Sequence, residues 1–414
     1  MSRTAAIAGA LAAWTCLLSL AGAAAPPKLA AGSSVLVDRE TGTVLFEQNA
    51  RARRPMASTT KIMTALLAVE HCGPDEIVTA SPRAAEVHNS GSSLGLAAGE
   101  RVRMEDLLPA LLLKSANDVA IAIGEHVGGS LESFIGMMNA RARELGAENT
   151  HFTNPHGLYE ADHYSTAYDL AVIAREALRH PRLRPLVAAK TASIERPDTL
   201  GTQDLINHNK LLWRAPFVDG VKTGYVRQSG HCLVASGTKD GWQLIAVVLD
   251  SPDMYGEALA LLEYGFTEFQ RHVYAESGAA VGRAEVRRGR QNSVPALCGE
   301  SVTSVTGPGR PGEGRLEVTL SALEAPVAAG APVGEVRLVV GDEVVSRGVL
   351  TAGESVPRSP WWMIGGWLLR AFLALGILAL VIRTSAKAIK AHRRRRGGFS
   401  PQGGRSGARG TGKR

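Results

Sequence analysis

The chain reads as an α/β (α+β) protein in which a sheet is flanked by helices and carries a mostly helical insertion. A small β-rich domain and a C-terminal transmembrane helix follow. Three observations lead there. Apolar residues alternate with strand periodicity near 35–48 and again near 230–249, and a long stretch of helical periodicity lies between them. From about residue 271 to 356 the composition turns to valine and glycine with short alternating runs. Residues 361–382 form an apolar run whose only charge is Arg370. A chain of 414 residues with 45% hydrophobic content can hold two domains with proper cores.

Taken in order, residues 1–25 have Arg3, an apolar stretch and then small residues, the pattern of a secretory signal peptide. Cleavage after Ala23 would satisfy A-x-A, and Cys16 has no lipobox around it. Residues 35–48 make a hairpin around Glu40-Thr41-Gly42. Ser58 opens a helix over 59–71, where Ile62, Met63, Leu66, Leu67 and Val69 recur at helical spacing. Helices are expected at 107–127, 131–145 and 167–180. Residues 230–236 and 243–249 pair as strands closed by Lys239-Asp240-Gly241, and the strands after Lys222 join the sheet of the first hairpin. In the β-rich segment, 315–320 and 334–340 are strands, with a turn at Gly341-Asp342.

The 22-residue run 361–382 is about 33 Å long as a helix, enough for a bilayer core of about 30 Å. Arg370 near its middle costs about 2.5–3.5 kcal/mol on insertion scales, which the surrounding leucines, isoleucines and tryptophans offset. A helix lying at the interface is the rival reading. Residues 383–414 hold eleven lysines and arginines and no acid, so this tail is expected to be disordered and cytoplasmic, with the bulk of the chain outside. The tail carries +11 and Arg3 carries +1 of a total of +7, leaving the rest at −5. A mildly acidic folded part excludes nucleic-acid binding driven by overall charge. Past the signal, Cys72, Cys232 and Cys298 are an odd set, and spacing does not decide whether a disulfide forms.

Three short motifs carry the chemistry: Ser58-Thr59-Thr60-Lys61, Ser115-Ala116-Asn117 and Lys222-Thr223-Gly224. Three residues along a helix is one turn, so the Lys61 amine can reach the Ser58 hydroxyl. Serine needs a base to act as a nucleophile, and lysine serves only when neutral. Keeping it neutral at pH 7 opposes about 4–5 kcal/mol of protonation free energy. Burial and a second positive charge both lower its pKa, and Lys222 can supply that charge. Ser115 can relay a proton, Asn117 can bind a substrate amide, and Gly224 leaves room for a substrate backbone to approach the strand. Among eleven histidines there is no H-E-x-x-H, no C-x-x-C and no cluster with ligand spacing, so no metal is expected; His156 and His163 are expected to order a loop beside the site. No glycine loop of the phosphate-cradling kind is present.

The trio resembles the S-x-x-K, S-x-N and K-T-G signature of the penicillin-binding protein and serine β-lactamase superfamily. Ser92-Ser93-Leu94-Gly95-Leu96, Thr153-Asn154-Pro155-His156-Gly157-Leu158, the stretch from His163 to Leu170, and Asn207-His208-Asn209-Lys210-Leu211-Leu212 look like the low-molecular-mass D-alanyl-D-alanine carboxypeptidases. The resemblance implies a β-lactamase-like transpeptidase fold over 29–270, a β-rich domain over 271–356, and Ser115 and Asn117 at a helix junction facing Ser58. It implies Ser58 as nucleophile, Lys61 as base, Ser115 as a catalytic partner, and Asn117, Lys222, Thr223 and Gly224 as substrate contacts. The oxyanion would rest on the backbone amides of Ser58 and Tyr225. The implied partners are a peptidoglycan stem peptide as substrate, β-lactams as inhibitors and the membrane, with no cofactor. A D,D-endopeptidase or transpeptidase shares all three motifs, and an idle wall-binding scaffold stays open. A class A β-lactamase would need an E-x-x-L-N motif, which is missing.

Overall fold

The computed structural model describes residues 25–87, 91–309 and 314–396. The expected signal segment up to residue 24 and the end of the tail from 397 lie outside the described residues. Two compact units result, the first reaching Ala275 and taking in Ser301–Glu317 and Arg337–Arg347, the second made of Glu276–Glu300, Val318–Val336 and the chain from Gly348.

The first unit begins with the hairpin β1 (Ser33–Asp38) and β2 (Val44–Gln48), then a 3-10 turn at Ala57–Thr60 and helix α1 (Lys61–His71). Next come β3 (Ile77–Thr79), α2 (Pro82–Glu86), β4 (Arg101–Arg103), α3 (Met104–Leu112), α4 (Asn117–Gly128), α5 (Leu131–Glu144), α6 (Ala167–Arg179) and α7 (Leu183–Ala188). The hairpin β5 (Thr191–Arg196) and β6 (Gly201–Ile206) and the short α8 (Leu211–Arg214) lead back to the sheet. There β7 (Val218–Val226), β8 (Gly230–Lys239) and β9 (Trp242–Ser251) precede α9 (Met254–Glu268) and β10 (Gln270–Ala275).

The main sheet has the order β2-β1-β9-β8-β7, so the strand bearing the third motif is its edge. Along β9 successive side chains go to opposite faces. Ile245, Val247 and Leu249 join the core under the helical region, while Leu244, Ala246 and Val248 join a second core under α9. Covering on both faces explains the nearly continuous apolar reading of 243–249.

One expected helix is two. Residues 107–127 break at 113–116, where Ser115 takes φ +65° and the Asn117 amide donates to Ser92 O at 2.8 Å instead of continuing the helix. The run is apolar on both sides of the break, so periodicity alone could not see it.

The second unit contains β11 (Ala280–Arg287) and β12 (Ser293–Cys298), paired antiparallel. Of the remaining strands, β13 (Val302–Thr306) belongs to the first unit and pairs with β10, β15 (Leu323–Glu324) belongs to the second, and β14 (Arg315–Leu320), β16 (Pro332–Val340) and β17 (Glu343–Ala352) are divided between the residue ranges of the two. Helix α10 (Pro360–Arg396) follows and contains a window, Gly366–Arg393, long and apolar enough to cross a membrane. The tail expectation is corrected at its start, because residues 383–396 continue α10. No glycine or proline occurs there until Gly397, and alanine, lysine and arginine are good helix formers.

Candidate active site

The first wall forms where the chain enters α1. Ala57 takes φ +48°, and the hydroxyls of Thr59 and Thr60 donate back to Met56 O at 2.7 Å and Ala57 O at 2.8 Å. These bonds satisfy carbonyls and hold the turn, so Ser58 lies inside a 3-10 turn and the α-helix proper starts at Lys61. The Lys61 Nζ donates to Asn117 Oδ1 at 2.7 Å and to His156 O at 2.7 Å, and lies 3.0 Å from Ser58 Oγ, within hydrogen-bond reach. Lys61 is fully buried. Burial pushes its pKa well below the usual lysine range, the nearby Lys222 pushes it further, and Asp118 opposes them.

The second wall is the α3–α4 junction. Positive φ at Ser115 turns the chain so that Asn117, the first residue of α4, reaches Lys61. Asp118, which the sequence reading overlooked, is buried and gathers a neighbouring loop. Its carboxylate accepts from Ser93 Oγ at 2.7 Å and from the amides of Leu94 at 3.0 Å, Gly95 at 2.8 Å and Leu96 at 3.0 Å. A single carboxylate therefore ties the Ser-Ser-Leu-Gly-Leu stretch to the second motif.

The third wall is β7. Lys222 is buried, donates to Thr223 O at 3.0 Å, and is pushed down to about 7 by burial. Lys222 and Gly224 share one face of the strand, and Thr223 and Tyr225 the other. Gly224 lies against the Ser58 turn. A Cβ there would lie 2.9 Å from Ser58 N and 3.1 Å from Met56 O, so the missing side chain makes room for the protein's own Ser58 turn. The Tyr225 ring, 60% exposed, stacks on His231 with centroids 4.5 Å apart.

The loop 153–163 closes the back of the site. His163 Nδ1 accepts from the Thr153 amide at 3.0 Å, which places its proton on Nε2 beside Thr60 Oγ1 at 2.8 Å. Burial and the Lys61 charge hold His156 at about 3, and burial holds His163 at about 3. Both are neutral props, as expected, and His156 adds a carbonyl ligand for Lys61 that sequence could not indicate. Gly157 was also missed. It has φ +90°, and a Cβ on it would lie 1.9 Å from Ala57 O.

Ser58, Lys61 and Asn117 are thus hydrogen-bonded together, Gly224 abuts the Ser58 turn, and the Lys222 charge bears on Lys61. Cys72, Cys232 and Cys298 are free and buried. In the folded chain the ligand atoms of Cys72, Glu76 and His126 lie within 4.8 Å of one another, although no ligand spacing marks them in the sequence. Folding, not sequence spacing, brings His126 to the other two.

A family model described as D-alanyl-D-alanine carboxypeptidase matches residues 21–253, and one for the penicillin-binding protein 5 C-terminal domain matches 269–358. The D-alanyl-D-alanine carboxypeptidase DacF of Bacillus subtilis is 32% identical over 339 residues, covering 80% of this chain and 86% of its own. DacD of Escherichia coli is 33% identical over 347 residues, covering 80% and 88%. Penicillin-binding protein 5 of Haemophilus influenzae superposes with a TM-score of 0.63 at 29% identity, covering 81% of this chain and all of that one.

Proposed function

This chain belongs to the D-alanyl-D-alanine carboxypeptidase family and is a serine carboxypeptidase, and from that premise we propose that Ser58 carries the acyl group. Lys61 takes the Ser58 proton as Oγ attacks the carbonyl of the penultimate D-alanine of a peptidoglycan stem peptide. The amides of Ser58 and Tyr225 receive the oxyanion. Ser115 passes a proton to the departing terminal D-alanine, whose carboxylate rests on Lys222 and Thr223, and Asn117 sits between Lys61 and the substrate amide. Water then frees the enzyme. β-Lactams present a similar carbonyl and carboxylate and acylate the same oxygen. The observation that carries this reading is the buried Lys61 amine, 3.0 Å from Ser58 Oγ and biased towards its neutral form. A catalytic domain over 29–270 stands outside the membrane, secreted through the signal segment and held by a single pass of α10. The basic residues after the apolar window support this orientation.

The decisive assay gives the full chain a stem pentapeptide and a cross-linked dimer in parallel. Free D-alanine from the pentapeptide is expected; monomer release with no free D-alanine would make the protein an endopeptidase instead.

Lys222→Met should act on two quantities at once. Removing the neighbouring cation lets Lys61 keep its proton to higher pH, so the acid limb of the kcat/KM profile moves upward. The plateau falls by about 10- to 100-fold as the charged contact to carboxylate is lost. An unmoved acid limb would mean that Lys222 has no part in holding Lys61 neutral.

A further inference from the structure

Helices α1 and α4 each carry a site motif at the N-terminal end, and Lys61 and Asn117 join those ends at 2.7 Å. The two helices meet again at their other ends, roughly 13–16 Å further along. There Cys72 caps α1, Glu76 sits in the turn that follows, and His126 lies in the last turn of α4. The Glu76 carboxylate meets His126 Nε2 at 2.9 Å, accepts from the Gly73 amide at 3.2 Å, and is hydrogen-bonded by the Cys72 thiol. Cys72 is buried, Glu76 exposed and His126 partly buried.

We propose that Cys72 Sγ, Glu76 and His126 Nε2 bind a divalent zinc ion that clamps the C-terminal ends of α1 and α4. Thiolate, imidazole and carboxylate together suit zinc, whereas magnesium and calcium take oxygen ligands. A tetrahedral ion draws its donors to roughly 3.5 Å from one another, a small adjustment from the present spacing. On binding, the thiol gives its proton to solvent, the imidazole carries its proton on Nδ1, and the carboxylate exchanges two hydrogen bonds for a metal bond. Thiolate and carboxylate balance the ion's charge. The nearby cation, Arg182, has Nη1 on Cys72 O at 2.6 Å, and Arg103 faces Asp75 at 3.6 Å. The fourth position is open to water. Nothing in this clamp requires the assigned chemistry at Ser58, since it joins the helix ends remote from that residue.

The test uses the full chain in detergent, stripped with a chelator and then given zinc or cobalt alone. One equivalent of zinc should stay bound through gel filtration, and the melting temperature should rise by about 5–10 °C at a hundredfold excess over the dissociation constant. Cobalt should give a thiolate charge-transfer band in wild type and in Cys298→Ser but not in Cys72→Ser. His126→Ala, at a partly exposed position, should lose the thermal shift even if Cys72→Ser fails to fold. A wild-type melting temperature unmoved by zinc, a cobalt band that persists in Cys72→Ser, or an undiminished shift in His126→Ala overturns the site.

Discussion

Ser58→Ala should lower kcat by about a millionfold, the scale of removing a nucleophile from a serine hydrolase, and abolish covalent labelling by penicillin. The fold should survive the change. Ser58 is partly exposed and its Oγ lies 3.0 Å from Lys61 Nζ, which keeps Asn117 Oδ1 and His156 O as acceptors when the hydroxyl is gone. Stability should therefore stay within about 1 kcal/mol of wild type, the net worth of one hydrogen bond. That separation matters, because loss of activity with an unchanged melting curve isolates chemistry from folding. Labelled penicillin still bound covalently to the alanine variant would place the nucleophile elsewhere.

Gly157→Ala is expected to be damaging for a different reason. The new methyl group would sit 1.9 Å from Ala57 O and 2.9 Å from Ser58 N, both backbone atoms that no rotamer change can move. Alanine at φ +90° adds strain of about 1–3 kcal/mol. Relief requires the Ala57–Ser58 peptide to shift, and that peptide carries the amide assigned to the oxyanion. The expected result is a fall of about 100- to 1,000-fold in acylation rate together with a melting temperature lower by about 10 °C. Gly146→Ala is the matched control. It has φ +82° and open space around its Cβ position, so it carries backbone strain without the collision, and its activity should be that of wild type. Wild-type acylation by Gly157→Ala would sink the claim that this loop sets the position of the Ser58 amide.

Much of the site was readable in advance because its key spacing is local. Ser58 and Lys61 are one turn apart, so their contact follows from helix geometry once the helix is granted. The strands of the sheet were readable because runs covered on both faces are almost wholly apolar. The break between α3 and α4 was implied by the family resemblance and not by periodicity, since it rests on positive φ at Ser115 and on the bond from Asn117 N to Ser92 O. Asp118 escaped for a similar reason: its four partners lie 22 to 25 residues away, and only the folded loop points them at one carboxylate.

By itself, then, the sequence determined the class of chemistry, the α/β architecture with its β-rich successor, and the apolar C-terminal helix, because each is written in short-range periodicity or in motif composition. The tertiary structure decided what makes the chemistry work. It buried both lysines, placed Lys61 in the field of Lys222, gave Lys61 the His156 carbonyl as a third partner, and set Gly157 and Gly224 against the Ser58 turn. It also carried His126 to Cys72 and Glu76. Desolvation, close packing and charge coupling depend on distances between residues far apart in the chain, and those distances exist only once the helices have docked on the sheet.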